Sequence, residues 1–309
     1  IHRARFFMQA LAMTGRARLL QLRTVRAMTS TQSTPKARSP MSSIPAPTHA
    51  TLSAIPANRS GAWALLHKET MRFVKVYLQT ILAPVISSLL FLLIFSYLLE
   101  GRVEPYPQVS YTAFLVPGLV MMTLQQNAFA NTSSSITQSK MTGNLVFVLL
   151  SPMKPWEWFV GYIGGAVARG LACGLGVWLV AVLFVQGALY SIGWLMMFAV
   201  LACIVLATLG FIAGLWAEKW DHVSVFQNFL INPLTMLAGV FYSVKQLPSI
   251  WQAISHANPF FYLIDGFRYG VFGVADVSPW MSLAISGGCA LVLTLLTLRL
   301  IAIGWRIRG

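Results

Sequence analysis

The sequence predicts an all-α membrane protein with six transmembrane helices. Hydrophobic residues fill 57% of its 309 positions and charged residues only 10%, whereas charged residues make up about 25% of an ordinary soluble domain. A spanning helix needs about 20 mostly apolar residues, and stretches of that kind recur from residue 76 to the C-terminal region. Shorter apolar segments before, between and after these stretches predict additional helices that do not cross the bilayer.

Residues 1–60 form a separate basic region with nine Lys or Arg residues and no acidic residue. The remaining chain has 13 basic and 8 acidic residues, so a folded basic surface for nucleic acid is not predicted. The Ser/Thr/Pro-rich second half of this region predicts disorder. An Arg-rich and Ser-rich terminus without acids also fits a transit peptide. A third interpretation is that translation begins at Met28 or Met41 and that the upstream residues are not natural.

The apolar stretches of the sequence and their lengths predict six spans. Residues 170–217 carry no charge and are too many for one helix, so the chain must turn near residues 186–193. Pro84, Pro117 and Pro233 interrupt the first, second and fifth spans, which helix bundles tolerate. The predicted spans are residues 76–99, 111–135, 158–185, 194–217, 223–244 and 280–303.

The distribution of basic residues predicts that both termini are cytoplasmic, as the positive-inside rule requires. With that orientation three basic residues lie outside, namely Arg102, Lys245 and Arg268. Nine lie inside: Lys68, Arg72, Lys75, Lys140, Lys154, Lys219, Arg299, Arg306 and Arg308. Before the first span, residues 62–75 are amphipathic and predict a helix along the inner leaflet. Its apolar face is predicted to carry Trp63, Leu66, Thr70, Phe73 and Tyr77; a cytoplasmic extension of the first span is the alternative.

The sequence carries no pattern of a catalytic or metal site. It has no GxxxxGK[ST] loop for phosphate and no His or Cys cluster at metal-ligand spacing. Its three cysteines stand singly in apolar runs and are predicted to be core residues. The acidic residues avoid the middle of the spans, so the proton relay of many gradient-driven transporters is not predicted either. We therefore expect no enzyme activity and no cofactor in this chain.

Polar residues inside the spans are the first candidate site. Residues 123–138, in the second span, are rich in amides and hydroxyls, which must face protein or a wet cavity. They either form interhelical hydrogen bonds or line a translocation path, and Arg169 in the third span either pairs with a neighbouring helix or meets an anionic headgroup. The residues predicted to line a path are Gln125, Asn127, Asn131 and Asn232.

Residues 247–273 are the second candidate site. They are mostly apolar but too interrupted to form a span. Residues 248–257 predict one short helix. Asn258 is expected to cap a second helix with Pro259 at its first position. Asp265 and Arg268 are three residues apart and could pair on one face. Two re-entrant half-helices, or a simple external amphipathic cap, would satisfy this pattern.

The third candidate site is the short apolar run of residues 145–150, followed by Ser-Pro-x-Lys-Pro. It is too short to cross a bilayer, and the prolines restrict the backbone around it. It suits insertion into a groove of a cytoplasmic partner, or it lies on lipid as an interfacial helix.

Four stretches in order and spacing resemble permeases of the type-2 ABC exporter family, which includes capsule, lipo-oligosaccharide and drug exporters. The stretches are FLVPGLVMM, LVFVLLSPMKPWEWFVG, NPLTMLAGVFYSVKQLP and NPFFYLIDGFRYGVFG. The resemblance runs from about Trp63 to the C-terminus and implies a six-span permease domain, residues 61–309. It also implies an elbow helix at 62–75, a coupling helix at 142–151 and a re-entrant pair at 247–273.

The resemblance further implies an inner-membrane homodimer of permeases, with ATP and Mg on separate ABC ATPase subunits. The substrate would be an amphipathic molecule such as a lipid-linked glycan, a lipid or a drug. Residues implied to transmit force from the ATPase are Asn144, Leu145, Leu149, Leu150, Ser151, Pro152, Lys154 and Pro155. The competing hypotheses are an ATP-independent secondary transporter or channel, and a scaffold that only anchors an assembly.

Overall fold

The computed structural model describes residues 60–107, 109–151, 153–184 and 189–306. The predictions for the basic region before residue 60 therefore lie outside the described residues. Within these ranges the chain is helical and forms no β-strand, only one isolated bridge between Tyr106 and Val109. The α-helices are α1 Ser60–Val74, α2 Tyr77–Leu99, α3 Tyr111–Met141, α4 Leu145–Leu150, α5 Pro155–Ala181, α6 Ile192–Trp216, α7 Trp220–Phe226, α8 Asn232–Met236, α9 Ser249–Ala257, α10 Pro259–Phe272 and α11 Pro279–Ile303.

Four of these helices, α2, α5, α6 and α11, are long and apolar enough to cross a membrane. They correspond to the predicted first, third, fourth and sixth spans. The predicted second span is α3, whose 31 residues extend beyond the predicted segment. Its polar second half explains why α3 is less apolar than the other four.

The predicted fifth span is broken in the structure. It consists of α7, a π-helical turn at Gln227–Ile231 and α8, and it ends at Met236, before the predicted end at residue 244. Pro233 has no amide hydrogen and cannot continue the α-helical pattern. The amide of Asn232 donates to the carbonyl of Gln227, five residues earlier, which is the π-helical bond. Gly239, at φ +78°, then turns the chain away from the helix axis.

Helix α3 lies at the centre and packs against α2, α5, α6 and α10. Its polar side chains support close helix contacts. Thr132 donates a hydrogen bond to the carbonyl of Ala207 in α6 at 2.7 Å. Gly210 of α6 approaches the carbonyl of Phe129 so closely that a Cβ atom there would collide with it. Part of the polar run is thus used to join helices, which is one of the two roles predicted for it.

Helix α1 packs along α5 with a face that overlaps the predicted apolar face only in part. Phe73 of the predicted face is buried together with Leu65 and Glu69, whereas Trp63 remains 67% exposed. On α5, Gly161, Gly164 and Gly165 leave a groove that receives side chains of α1, Leu66 among them. The hydrophobic pattern of α1 alone does not contain this information. The predicted position of α1 along the inner leaflet stays a prediction.

The predicted short helices before α11 are confirmed. Pro248 precedes α9, and the side chain of Asn258 accepts a hydrogen bond from the amide of Phe260 at 3.0 Å, which caps α10. Pro259 is the first residue of α10, and Gly273 ends it in the left-handed conformation at φ +70°. We call the end of the bundle with α9 and α10 the cap end, and the end with α1 and α4 the stub end.

Candidate functional site

The stub helix α4 presents apolar side chains at the stub end. Phe147 is 73% exposed and Leu150 is 77% exposed, with Val146 also exposed, whereas Leu145 is buried against the bundle. Asn144 lies in the turn before α4 and Ser151 in a bend after it. The side chain of Leu149 and the whole of Pro152 lie outside the described residues. A short helix with one anchored and three exposed apolar side chains suits a groove on another protein.

The connection from α4 to α5 is held by local hydrogen bonds. Lys154 is the N-cap residue of α5 and Pro155 its first residue. The carboxylate of Glu157 accepts a hydrogen bond from the amide of Lys154 at 2.7 Å. The amide of Met153 donates to the carbonyl of Ser151 at 2.7 Å. These bonds tie the end of α4 to the first turn of α5, so a displacement of the stub would act on that turn.

A network of charged and polar groups joins α1 to α3 at the stub end. Glu69 is fully buried and accepts a hydrogen bond from the hydroxyl of Ser135 at 2.7 Å. Arg72 donates to the carbonyl oxygen of Asn131 at 2.6 Å and to its side-chain oxygen at 3.0 Å. Lys68 and Arg72 each lie 3.4 Å from a carboxylate oxygen of Glu69. One carboxylate therefore serves two cations.

The same face of α3 carries a second arginine contact one turn away. Arg169 of α5 donates to the side-chain oxygen of Asn127 at 3.2 Å. The amide nitrogen of Asn127 donates in turn to the carbonyl of Thr123 at 3.0 Å. Buried atoms without a hydrogen-bond partner remain here, among them Nε of Arg169 and Nδ2 of Asn131. Asn127 and Asn131, both predicted path residues, are thus held by arginines from two other helices.

The other two predicted path residues lie elsewhere. Gln125 is fully buried, and its amide has no hydrogen-bond partner among the described residues. It lies seven residues before Thr132, on the face of α3 that meets α6. Asn232 instead accepts a hydrogen bond from Gln126 at 3.2 Å and contacts Asn228 at 3.2 Å. The structure therefore distributes the four residues over three environments and does not gather them into one site.

Sequence reasoning missed Gln126 and Asn228, which belong to the polar group around Asn232. Asn228 is exposed on the π-helical turn, within the segment predicted as the fifth span. The four-residue spacing of Asn228 and Asn232 was visible in the sequence, but no pattern connected them to Gln126. An exposed amide in an apolar segment is costly against lipid, so this face favours a protein or water neighbour.

At the cap end, Asp265 and Arg268 of α10 do not form the predicted ion pair. Asp265 accepts hydrogen bonds from the amides of Asp276 and Val277 at 2.7 and 3.0 Å. Arg268 donates to the carbonyl of Val240 at 2.9 Å, and its guanidinium stacks 3.8 Å from the ring centre of Phe114. Backbone groups of the loop after α10 reach Asp265 more directly than its neighbour on the same helix does.

Asp276 completes the cap-end network and was not singled out from the sequence. Its carboxylate accepts hydrogen bonds from the hydroxyls of Tyr106 at 3.2 Å and Ser243 at 2.7 Å, and from the amide of Val244 at 2.9 Å. Burial raises the pKa of Tyr106, and the nearby carboxylates raise it further against the opposing effect of Arg268. Tyr106 therefore remains a hydrogen-bond donor to Asp276 well above neutral pH.

An apolar crevice of about 230 Å³ lies between α3, α5, α6 and α10. Its walls include Leu124, Leu171, Trp178 and Phe267, and no charged residue lines it. Such a crevice suits hydrocarbon and offers no group that would select a polar ligand.

The chain is similar in sequence to a known protein family and to individual proteins. Residues 61–272 match the family model described as ABC-2 type transporter. The inner membrane transport permease YadH of Escherichia coli K12 is 39% identical over 215 residues, which cover 70% of this chain and 83% of that protein. Nodulation protein J of Sinorhizobium fredii is 25% identical over 228 residues, 69% of this chain and 82% of that protein. Nodulation protein J of Rhizobium leguminosarum bv. trifolii is 26% identical over 235 residues, 73% of this chain and 87% of that protein.

The match covers nearly all of α1 to α10, and therefore includes the stub helix, the stub-end network, and Asp265 and Arg268 of the cap-end network, whereas Asp276 lies just beyond it. The 39% identity to an inner membrane permease and the four long apolar helices agree in indicating a protein that crosses the membrane several times. The chain belongs to the ABC-2 type transporter family and is a membrane permease.

Proposed function

We propose that this chain is the permease subunit of an ATP-driven exporter, and that it moves an amphipathic substrate outward with energy from a separate ABC ATPase. The observation that carries this proposal is the exposed apolar surface of α4, here Phe147 and Leu150, at an end of a bundle whose sequence has no phosphate-binding loop. A permease without an ATP site needs a contact that receives force. The stub supplies a contact of the right kind.

The proposed orientation puts the stub end in the cytoplasm. Basic residues concentrate at that end, where Lys140 donates hydrogen bonds to the carbonyls of Leu215 and Ala217 at 2.6 and 2.8 Å. Arg306 lies 3.2 Å from Glu218 at the same end. Excess Lys and Arg on one side is the usual signature of the cytoplasmic face. In this arrangement α1 is the elbow helix, and α9 and α10 are re-entrant helices of the opposite leaflet.

The proposed permease has six spans, because α3 and the segment from α7 to α8 serve as the second and fifth spans. We further propose that it works as a homodimer. The π-helical turn exposes Asn228 beside the apolar side chains of Phe229 and Leu230. A second copy, with a wet path between the copies, would give these amides partners that lipid cannot offer. Asn232 and Gln126 are the residues from which we expect substrate contact on this face.

The test combines the permease with its ATPase in proteoliposomes. Phe147→Asp should abolish ATP-driven transport and substrate-stimulated ATP hydrolysis, because it puts a charge into an apolar contact. Met141→Asp is the matched control, since Met141 is also exposed at the stub end but precedes α4. It should retain most of both activities. Normal stimulated hydrolysis in Phe147→Asp, or substrate flux through the permease without any ATPase, would contradict the proposal.

A further inference from the structure

Arg169 occupies an unusual place in the bundle. It lies one helical turn beyond Gly165, the residue of α5 against which Glu69 packs, and hence close to where α1 gives way to the apolar helix α2. Its side chain is partly exposed. Its side chain donates a hydrogen bond to the neutral amide of Asn127 at 3.2 Å and also contacts the thiol of Cys173. Its Nε atom is buried and has no hydrogen-bond partner among the described residues. The arginine therefore retains donor capacity that the described residues do not use.

The surrounding charges do not neutralise Arg169. Arg72 is bound to Asn131, one turn from Asn127, so the two guanidinium groups are near enough to repel each other. Glu69 is the carboxylate of this region and already contacts Lys68 and Arg72. Among the described residues no carboxylate lies within ion-pair distance of Arg169. Lys75, in the turn after α1, is a further exposed basic residue of this region.

A charge at this depth favours a counter-ion, because partly buried cations in membranes are costly unless paired. A guanidinium binds a phosphate through parallel hydrogen bonds. The exposed start of α2 carries Tyr77 and Leu78, so apolar surface lies on the membrane side of the two arginines. Phosphate next to hydrocarbon is the chemistry of a phospholipid.

We propose that Arg169, with Arg72 beside it, binds the phosphate of an anionic phospholipid from the stub-end leaflet, where α1, α3 and α5 meet. The headgroup takes the unused donors, and its acyl chains lie along the start of α2. Asn127 holds the Arg169 guanidinium in position without neutralising it. Arg72 already pairs with Glu69, so the positive charge left for the lipid is mainly that of Arg169. This inference does not depend on the proposed export function.

The first experiment measures lipid retention and thermal unfolding of the purified full-length chain in detergent. The probes are phosphatidylglycerol, phosphatidylcholine and inorganic phosphate. Phosphatidylglycerol should be retained and should raise the unfolding temperature more than phosphatidylcholine. Arg169→Gln should weaken this preference about tenfold, as loss of a charge-assisted fork predicts. Lys75→Gln, which removes an equal but exposed charge, should retain it.

A second variant separates lipid binding from a merely structural role. Asn127→Asp places a carboxylate at the atom that already lies 3.2 Å from Arg169, although it loses the bond to the carbonyl of Thr123. The internal carboxylate should remove the preference for phosphatidylglycerol without lowering the unfolding temperature in lipid-free detergent. Wild-type preference in both variants, or an equal response to inorganic phosphate, would overturn the proposal.

Discussion

The two ends of the bundle both bury charged side chains, but they satisfy them differently. At the cap end, Asp265 and Asp276 receive five backbone or hydroxyl donors between 2.7 and 3.2 Å. Arg268 reaches a carbonyl at 2.9 Å, and its Nε is the one buried donor of this network without a partner among the described residues. At the stub end, Glu69 serves two cations at 3.4 Å, and Nε of Arg72, Nε of Arg169 and Nδ2 of Asn131 have no partner among the described residues. The cap end is nearly closed upon itself, whereas the stub end has hydrogen-bonding capacity left for something else.

This difference fits the proposed permease, in which one end would stay rigid and the other end would move when the ATPase acts on it. The more completely a buried polar network is hydrogen-bonded, the more it rigidifies its surroundings, which suits the cap end as a fixed frame. A network with unused donors can change partners at a lower cost, which suits helices that move against each other. The stub helix α4 and helix α1 both lie at this second end.

The largest expected effect comes from breaking the cap end at Arg268. Arg268→Met removes the hydrogen bond to Val240 and the stacking on Phe114, and leaves the carboxylates of Asp265 and Asp276 without the nearby positive charge. Removing one member of a buried charged network typically costs about 3–5 kcal/mol. We expect little folded protein, measured as the monodisperse fraction in fluorescence-detected size exclusion.

Lys245→Met is the matched control for Arg268→Met. Lys245 lies at the same end but is exposed, and its bond to the carbonyl of Ala275 is long at 3.4 Å. Its loss should leave the elution profile unchanged. If both variants behave alike, the cap-end network does not stabilise the fold in the way described.

A smaller effect is expected from the contact between α1 and α5 at the stub end. A Cβ atom on Gly165 would lie 2.5 Å from Cβ of Glu69, so Gly165→Ala must push α1 away from α5. Overpacking of this kind costs about 1–3 kcal/mol. We expect a lower unfolding temperature and faster proteolytic cleavage near α1, while α9 and α10 remain protected.

Gly288→Ala provides the control for the added methyl group. Gly288 is an exposed residue within α11 and has no atom within 4 Å of the position a Cβ would take. Alanine favours a helix over glycine by up to about 1 kcal/mol. This variant should therefore be neutral or slightly stabilising, and cleavage near α1 should stay as in the wild type. Faster cleavage in both variants would mean that the α1–α5 contact is not the cause.

The sequence predicted the helices better than it predicted their contacts. The ends of α10 followed from Asn258, Pro259 and Gly273, because capping is local chemistry between neighbouring residues. The buried face of α1 could not be predicted from α1 alone, because the glycine groove that receives it lies on another helix, some 90 residues later.

The same limit applied to the candidate sites. Asp265 was expected to pair with Arg268 on its own helix, but it binds amides of the following loop. Gln126 belongs to the polar group around Asn232 only because the segment predicted as the fifth span lies beside α3. The polar side chains themselves were visible in the sequence, whereas the partner of each depends on how the helices cross, and no spacing along one helix reports that.

The smallest expected effect concerns Tyr106, at the edge of the cap-end network. Tyr106→Phe removes one hydrogen bond to Asp276 and should cost about 1 kcal/mol of unfolding free energy at neutral pH. The pH dependence of the unfolding free energy tests the role of Tyr106 more directly. Because the pKa of Tyr106 is raised in the folded protein above its usual value of 10.0, its contribution is fully present below pH 10.0 and is lost as the pH rises further.

Unfolding temperatures of the wild type and of Tyr106→Phe, measured from pH 8 to about 11, test this directly. The wild type should lose its advantage over the variant, and then fall below it, as the pH rises above about 10, because ionisation of a buried phenol beside two carboxylates is unfavourable in the folded state alone. Tyr97, which is 90% exposed, supplies the control: Tyr97→Phe should track the wild type at every pH. A constant difference between wild type and Tyr106→Phe across this range would show that the cap end does not hold Tyr106 protonated, and would remove the contrast between a closed cap end and an open stub end.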